Sequence, residues 1–333
     1  MPRISTLLLT IVLSSAACAK QPPPTIDELR SRSFIATLTT VRDMPDGNGY
    51  NARVVAYSSE GLAVHALIAT PTMTMPAAGF PILVTNHGHH PEPANYGITA
   101  SGEDSRPGDY YRQVIELFVA HGFLVVAPDY RGHNTSEGFE YTEGMLEASY
   151  YTADVLNLIS ALDQVEKADS DNVFMWGHSM GGEVSLRTLL VSDQISAATI
   201  WSSVGGSIWD QSYYYSRYED PDADDSSDTP KYVIERLRSR IAALDGSYDT
   251  ELNEPLRYLK HLGTPVVIQH GTADTGAAFK WSQQLAKELY MRDKPYLLYA
   301  YDTSDHLFSG ELLEQAVARD VAWFRSHMRP GKP

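Results

Sequence analysis

The hydrophobic residues of the chain fall into short runs that are separated by polar, glycine-containing turns. Several of these runs are continuously apolar, as Phe123-Leu124-Val125-Val126-Ala127 is, which is typical of strands buried on both faces of a parallel sheet. The pattern predicts eight strands, at residues 51–57, 62–69, 80–86, 123–127, 172–176, 196–202, 265–270 and 295–301.

Apolar residues between the later strands follow helical spacing instead. Two apolar helix faces result, one made by Val155, Leu158, Ile159 and Leu162, the other by Leu313, Val317, Val321 and Phe324. A short helix is also predicted to begin after Thr25, because Thr25 and Glu28 fit the spacing of a capping box. Two strands followed by repeated strand–helix units predict an α/β fold, in which helices flank a mostly parallel eight-stranded sheet.

One segment is much longer than a connection between two strands requires. About 60 residues, 205–263, separate two predicted strands, whereas about a dozen residues suffice for a crossover. We therefore expect a cap insertion at 205–263. Its aromatic residues Trp209, Tyr213 and Tyr214 are candidate substrate contacts, with packing inside the cap as the alternative.

The first 18 residues have the layout of a secretory signal. Arg3 precedes an apolar stretch at 4–13, which is followed by small residues up to Cys18. Residues 15–18 are similar to a bacterial lipoprotein signal, in which the cysteine is lipidated; ordinary cleavage beside Cys18 is the alternative. We expect an exported protein, which is periplasmic or anchored to the outer membrane if Cys18 carries lipid, and otherwise secreted.

Composition and charge narrow the classes of protein further. The 333 residues are 43% apolar and 20% charged, which is ordinary for a folded globular chain. Lys and Arg number 26 against 42 Asp and Glu, a formal charge of −16, and this disfavours nucleic acid as a partner. Cys18 is the single cysteine, so no disulfide can form within the chain.

The segment 177–181, GHSMG, matches the pattern G-x-S-x-G. A predicted strand precedes it and a helical run at 183–189 follows it, which is the strand–turn–helix setting that lifts a nucleophilic serine clear of a sheet. Ser179 is therefore the candidate nucleophile. The alternative is a glycine-rich turn in which Ser179 only caps the helix.

A nucleophilic serine needs a base and a carboxylate that orients the base, here expected in the chain order Ser, Asp, His. Asp274 follows the predicted strand 265–270, and His306 follows the predicted strand 295–301. We expect Asp274 to orient His306, and His306 to act as base toward Ser179 and then as acid toward the leaving group. The alternatives are a helix cap at Asp274 and an ordinary surface histidine at 306.

The oxyanion of an acyl-transfer intermediate needs two hydrogen-bond donors. The expected donors are the backbone N–H of Met180, directly after the candidate nucleophile, and the backbone N–H of His89, in the loop after the predicted strand 80–86.

Two segments contain potential metal ligands. His87 and His89 could serve a hydrolytic zinc site, but the sequence assigns no second cluster of ligands to it. The acidic run at 219–228 is spaced like the start of a calcium loop, yet Asp225 and Lys231 stand where such a loop needs Gly and Glu. We therefore expect no metal, and no cofactor.

Four segments resemble the catalytic domain of the prolyl oligopeptidase family of serine peptidases, within the α/β-hydrolase superfamily. They are residues 86–90 (NHGHH), 128–133 (PDYRGH), 176–182 (WGHSMGG) and 270–274 (HGTAD). The resemblance implies an α/β-hydrolase fold, the triad Ser179, Asp274 and His306, and oxyanion donors at Met180 and His89. His89 departs from the family pattern, which has a second glycine there.

The resemblance also implies a division of the chain. We expect a signal at 1–18, a tether and N-terminal helix at 19–49, and an α/β-hydrolase domain at 50–330 that contains the cap. Residues 21–50 are too few for the β-propeller of larger family members, so size selection by a propeller is not carried over.

These observations predict an exported serine hydrolase that forms an acyl-enzyme on Ser179 and cleaves a small peptide or ester. The alternatives are a carboxylesterase without peptidase activity, a metal-dependent hydrolase and a non-catalytic binding protein. The expected partner is a small-molecule or short-peptide substrate, and the oligomeric state is left open. An aminopeptidase would also need a carboxylate for the substrate ammonium, for which Glu183, Glu103 and Asp104 are candidates.

Overall fold

The computed structural model describes residues 22–90, 92–95, 111–142, 146–219, 235, 238–239 and 249–330, and a nine-stranded sheet organises them. The strands are β1 Thr39–Gly47, β2 Tyr50–Ser59, β3 Leu62–Pro71, β4 Phe80–Asn86, β5 Leu124–Pro128, β6 Ala168–His178, β7 Ala197–Trp201, β8 Val266–Gly271 and β9 Tyr296–Tyr301. Their spatial order is β1-β2-β3-β5-β4-β6-β7-β8-β9. Pairing is antiparallel from β1 through β3 to β5 and parallel in the rest of the sheet.

The predicted count of eight strands was wrong by one. All eight predicted strands form, and β1 adds a ninth at the antiparallel edge of the sheet. Strand β1 is exposed along most of its length and lies within the segment expected to be tether and helix. Because hydrophobic runs mark buried strands, a solvent-exposed edge strand gives no such signal.

Seven α-helices connect or flank these strands within the described residues. They are α1 Ile26–Ser31, α2 Arg112–Ala120, α3 Glu147–Ile159, α4 Met180–Val191, α5 Ile208–Glu219, α6 Phe279–Met291 and α7 Gly310–Ser326. The predicted capping box is confirmed at α1, where the Glu28 N–H donates to Thr25 Oγ1 and the Thr25 N–H donates to the Glu28 carboxylate.

Successive residues of the central strands point to two separate hydrophobic cores. In β5, Leu124 and Val126 belong to the core that α3 and α4 cover, whereas Val125 and Ala127 belong to the core under α2 and α7. This alternation follows from the two-residue repeat of a strand. Both faces of the central strands are therefore covered, as their continuous apolar sequences predict.

The predicted cap insertion joins β7 to β8. Its described parts include α5 and residues 249–263, and the latter contain two short 3₁₀ segments, Thr250–Asn253 and Pro255–His261. Most of the acidic run at 219–228, the signal segment and Cys18 lie outside the described residues. No helix in the described part of the chain has the length and apolarity needed to cross a membrane.

A buried ion pair fixes the loop that follows β5. The Arg131 guanidinium donates to both carboxylate oxygens of Asp154 on α3, with Nη2–Oδ1 at 2.7 Å, and the Arg131 backbone N–H donates to Oδ2 at 2.9 Å. Nη2 also donates to Glu60 at 2.8 Å. Asp154 is fully buried and Arg131 nearly so. The pair therefore holds the loop after β5 against α3 with little competition from water.

We predict that Asp154→Ala lowers the free energy of unfolding by about 3–5 kcal/mol, because it leaves the Arg131 charge buried without its main partner. Urea denaturation followed by far-UV circular dichroism measures the change. The matched control is Glu166→Ala, which removes the exposed and longer Arg53–Glu166 pair at 3.6 Å and should leave the midpoint unchanged. Equal shifts in the two variants would contradict the prediction.

Candidate active site

The predicted site residues lie on loops at one edge of the sheet. His89 follows β4, Ser179 follows β6, Asp274 follows β8 and His306 follows β9. These four strands run parallel in the sheet, so their carboxyl ends share an edge. In α/β sheets this edge is where ligands bind.

Ser179 occupies a strained turn between β6 and α4. Its backbone has φ 57° and ψ −125°, a conformation that a non-glycine residue adopts only under constraint. The Ser179 N–H donates to the Trp201 carbonyl at 3.0 Å, and the Ser179 carbonyl accepts from Gly182 and Val204. Hydrogen bonds on both sides thus hold the strained residue in place.

The two glycines of G-x-S-x-G allow the close approach that makes this turn. A Cβ at Gly181 would lie 2.1 Å from the Asn86 carbonyl oxygen, at the end of β4. A Cβ at Gly177 would lie 2.2 Å from Ser185 Oγ, on α4. Side chains at either position would push the start of α4 away from the strands, so the glycines are needed for packing as well as for turning.

Asp274 and His306, which are distant in sequence, form a hydrogen-bonded pair. His306 Nδ1 lies 2.9 Å from Asp274 Oδ2, while Asp274 Oδ1 accepts from the backbone N–H groups of Gly276 at 2.7 Å and Ala277 at 3.1 Å. The Asp274 side chain is fully buried, and His306 is partly exposed. The buried carboxylate orients the His306 ring and leaves the other ring nitrogen for another partner.

The electrostatic environment keeps Asp274 ionised. Burial by itself would raise its pKa, but hydrogen bonds from His270 and His306 outweigh burial and hold the pKa of Asp274 well below its usual range. His270 Nε2 lies 3.2 Å from Oδ2. A permanently charged carboxylate at this place can stabilise a protonated His306.

The loops that carry Asp274 and His306 are joined to each other. The Thr272 N–H donates to the Tyr301 carbonyl at 2.7 Å, and the Ala273 N–H donates to the Thr303 carbonyl at 3.0 Å. Gly276 packs flat on the imidazole, because a Cβ there would lie 2.5 Å from His306 Cγ. These contacts fix the ring between two backbone segments.

The expected oxyanion donors, Met180 and His89, belong to α4 and to the loop after β4. Met180 is the first residue of α4, and the first N–H groups of a helix have no acceptor within the helix. His89 follows Gly88, where a Cβ would lie 3.0 Å from Ser179 Cβ. The loop after β4 therefore passes directly beside the candidate nucleophile.

The hydroxyl of Ser179 shows no hydrogen bond to the His306 ring in the described residues. His178, next to Ser179 in sequence, contacts that ring with centroids 4.6 Å apart. The structure thus brings His306 beside the nucleophile turn, and a direct hydrogen bond is often completed only when substrate binds.

His87 is bound into the core of the loop after β4. Its ring nitrogens lie 2.9 Å from the Gly88 carbonyl and 3.2 Å from the Asp129 carbonyl, and the ring stacks on Tyr130. Burial lowers the pKa of His87 to about 4. Among the described side chains, no group of three or more His, Cys, Asp and Glu could hold a metal ion.

Aromatic residues of α5 contact the loop that carries Asp274. Tyr214 donates to the Thr275 carbonyl at 2.7 Å, Tyr215 donates to the Gly276 carbonyl at 3.1 Å, and both rings contact Trp281 on α6. Tyr214, an expected substrate contact, therefore packs on the loop that carries Asp274. Trp209 is 38% exposed and Tyr213 is half-buried.

Glu183, a candidate for binding a substrate ammonium, already has a cationic partner. Arg187 donates to Glu183 Oε1 from Nη2 at 2.7 Å and from Nε at 2.9 Å, and both side chains are buried. Gln211 of α5 approaches the other carboxylate oxygen at 3.3 Å. The other two candidates, Glu103 and Asp104, lie outside the described residues.

Sequence reasoning missed four residues that support the site. His178 and His270 lie inside quoted motifs, but a motif gives no role to its variable positions. Tyr111, whose hydroxyl accepts from the Gly88 N–H at 2.9 Å, and Gly276, which lies against the His306 ring, carry no sequence signal, because these contacts form across the fold. Only an alignment of relatives could have marked such positions from sequence.

The family comparison decides the classification. The sequence model of the prolyl oligopeptidase family matches residues 109–331, about two thirds of the chain. The chain belongs to the prolyl oligopeptidase family. As a member of that family with the α/β-hydrolase fold, it is a serine hydrolase.

Individual relatives include peptidases and esterases. An uncharacterized peptidase of Bacillus subtilis, YtmA, is 25% identical over 273 residues, which cover 82% of this chain and 92% of that protein. An acylaminoacyl peptidase of Pyrococcus horikoshii has a TM-score of 0.62 at 18% identity, covering 86% of this chain and 43% of that one. Acetyl xylan esterase 1 of Thermoanaerobacterium has a TM-score of 0.60 at 15% identity, and the match covers 89% of this chain and 90% of that one.

The family structures differ from this chain in extent. It spans less than half of the acylaminoacyl peptidase and 36% of a dipeptidyl peptidase 4 of Porphyromonas gingivalis, to which it is similar with a TM-score of 0.61 at 17% identity. At these identities the structures establish a shared fold.

We predict that Ser179→Gly is more stable than Ser179→Ala by about 1 kcal/mol, because glycine relieves the strain that a Cβ causes at positive φ. Thermal unfolding of the two variants measures the difference. As a control, the same pair of substitutions at Glu314, an exposed position within α7, should give the opposite order, since glycine weakens a helix. The same order at both positions would exclude relief of strain at Ser179.

We predict that Asp274→Asn lowers kcat about 10⁴-fold, because the amide no longer holds His306 in the productive tautomer. Steady-state kinetics on an activated ester measures the loss. Asp302→Asn, an exposed carboxylate beside the His306 loop, serves as the control and should keep kcat within twofold. A loss below tenfold at Asp274 would contradict its predicted role.

Proposed function

We propose that the protein is a serine peptidase of short substrates, in which Ser179 is the nucleophile, His306 the general base and acid, and Asp274 the orienting carboxylate. The observation that carries the proposal is the hydrogen bond at 2.9 Å between the buried Asp274 carboxylate and His306, on the same sheet edge as the strained Ser179. The peptidase relative that aligns over 92% of its own length supports an amide substrate.

The proposed reaction proceeds through an acyl-enzyme. Ser179 Oγ attacks the scissile carbonyl while its proton passes to the free nitrogen of His306, and the negative charge moves to the carbonyl oxygen. Collapse of this intermediate breaks the bond to the leaving group, which takes the proton from His306. Water then attacks the acyl-enzyme with His306 as base, which releases the acid and restores Ser179.

The N–H groups of Met180 and His89 are proposed to bind the oxyanion. Such donors act most strongly when they are held in place before the reaction. The closeness of Gly88 to Ser179 supports this role for the loop after β4, since His89 is the next residue. Because the proposal uses the backbone N–H of His89, a side-chain substitution there leaves the donor in place.

A carboxylesterase is the second candidate. Acetyl xylan esterase 1, an esterase by its name, matches this chain over 90% of its own length. The same triad can serve either substrate, because an ester expels a better leaving group and depends less on acid assistance from His306.

Export of the protein stays part of the proposal. The signal layout of residues 1–18 and the lipoprotein-like sequence that ends at Cys18 support it. If Cys18 is lipidated, that residue would tether the enzyme to a membrane.

The deciding experiment compares kcat/KM for an aminoacyl anilide with kcat/KM for a short-chain aryl ester. We predict turnover of both, and loss of both in Ser179→Ala, which serves as the blank. Ester turnover without anilide turnover would replace the peptidase proposal by the carboxylesterase. Activity that survives Ser179→Ala would contradict both.

Two treatments distinguish a serine hydrolase from a metal-dependent hydrolase and from a non-catalytic binding protein. A serine-directed phosphonate should abolish activity, and a chelator should leave it unchanged. A metal-dependent hydrolase would show the reverse. A binding protein without catalysis would show neither turnover nor reaction with the phosphonate.

A further inference from the structure

A chain of three hydrogen bonds, two of them buried and one partly buried, runs through His178, the residue before the candidate nucleophile. The Gly88 N–H donates to the Tyr111 hydroxyl oxygen at 2.9 Å, the Tyr111 hydroxyl lies 2.6 Å from His178 Nδ1, and His178 Nε2 lies 2.8 Å from the His306 carbonyl. Tyr111 and His178 are almost completely buried. The chain connects the loop after β4 with the loop after β9, which are far apart in sequence.

The donors and acceptors of this chain have only one consistent arrangement while His178 is neutral. A carbonyl can only accept, so His178 Nε2 must carry the proton and donate to His306. His178 Nδ1 is then an acceptor, and the Tyr111 hydroxyl must donate to it. The hydroxyl oxygen remains free to accept from Gly88, so every member is satisfied.

The neutral form of His178 is strongly favoured. Burial, with the nearby His306 ring adding to it, lowers the pKa of His178 to about 3. Two uncharged aromatic rings pack against His178. Trp176 stacks on the His178 ring, and Tyr111 meets both Trp176 and His178 edge-on. The arrangement therefore persists over the pH range in which a hydrolase would work.

We propose that Tyr111 and His178 are positioning residues, which lock the oxyanion loop at Gly88 to the backbone of His306 across the nucleophile turn. This inference rests on the proposed function, because it assigns the loop after β4 to the oxyanion and His306 to proton transfer. Neither side chain is required to touch substrate. The hydrogen-bonded pair is called the Tyr111–His178 bridge below.

The bridge acts on geometry that the transition state requires. It ends on Gly88, the residue before His89, and on the carbonyl of the residue whose ring pairs with Asp274. A displacement of about 1 Å in such groups can cost about 100-fold in rate while ground-state binding changes little. Loss of the bridge should therefore appear in kcat more than in KM.

The test substitutes Tyr111→Phe, which removes one hydroxyl and two of the three hydrogen bonds. We expect kcat to fall about 10- to 100-fold with KM within about threefold of wild type. The matched control is Tyr57→Phe, since Tyr57 is equally buried but its hydroxyl has no hydrogen-bond partner among the described residues. Tyr57→Phe should leave kcat unchanged.

A double-mutant cycle asks whether the two side chains act as one unit. His178→Gln removes the ring acceptor for the Tyr111 hydroxyl. We expect the double variant, Tyr111→Phe with His178→Gln, to lose no more kcat than the more damaging single variant, within about threefold. Two independent structural effects would instead multiply. The proposal would be overturned if the two losses in kcat multiply in the double variant. It would also be overturned if the kcat of Tyr111→Phe lies within twofold of the kcat of Tyr57→Phe.

The rate of Ser179 phosphonylation gives a readout that does not depend on the substrate. Wild type that reacts with the phosphonate but turns over neither the anilide nor the ester would disprove the proposed substrates, while a slower reaction in Tyr111→Phe would still support the bridge. Equal reaction rates in wild type and Tyr111→Phe would overturn the bridge alone. Wild type that does not react at all would overturn both.

Discussion

The site depends first on the close approach of α4 to the end of β4. The contact is between Gly181 and the Asn86 carbonyl, where even one methyl group would not fit. This packing forces the chain to turn sharply at Ser179, and the strain is offset by hydrogen bonds from neighbouring strands and loops. The same approach brings the loop after β4 beside Ser179, so one steric constraint places both the nucleophile and the candidate oxyanion donors.

The parallel part of the sheet positions the other two residues of the proposed triad, Asp274 and His306. Asp274 and His306 leave adjacent strands β8 and β9, and the backbone ladder of these strands continues into the two loops through Thr272 and Ala273. The relative position of acid and base is therefore set by strand pairing, with few degrees of freedom left to side chains. The Asp274 carboxylate then needs only two backbone N–H groups and two histidines to stay ionised in a buried place.

Sequence sufficed for those parts of the structure that depend on local pattern. Buried strands have continuous apolar runs, so eight strands could be located, whereas the exposed β1 has none. Motif order along the chain predicted Asp274 and His306 without any knowledge of their contact. By contrast, the contacts of Tyr111 and Gly276 follow from packing between distant segments, and no single-sequence pattern encodes such contacts. The Glu183–Arg187 pair is different, because its i,i+4 spacing within α4 is a local pattern.

The cap insertion touches the proposed machinery through backbone rather than through the catalytic side chains. Tyr214 and Tyr215 of α5 bond the carbonyls of Thr275 and Gly276, and Gly276 lies against the His306 ring. A shift of α5 would therefore move the surface on which the imidazole rests. The His178 ring, which belongs to the Tyr111–His178 bridge, also contacts the His306 ring. In the proposed mechanism, the orientation of His306 therefore depends on α5 and on the bridge as well as on Asp274.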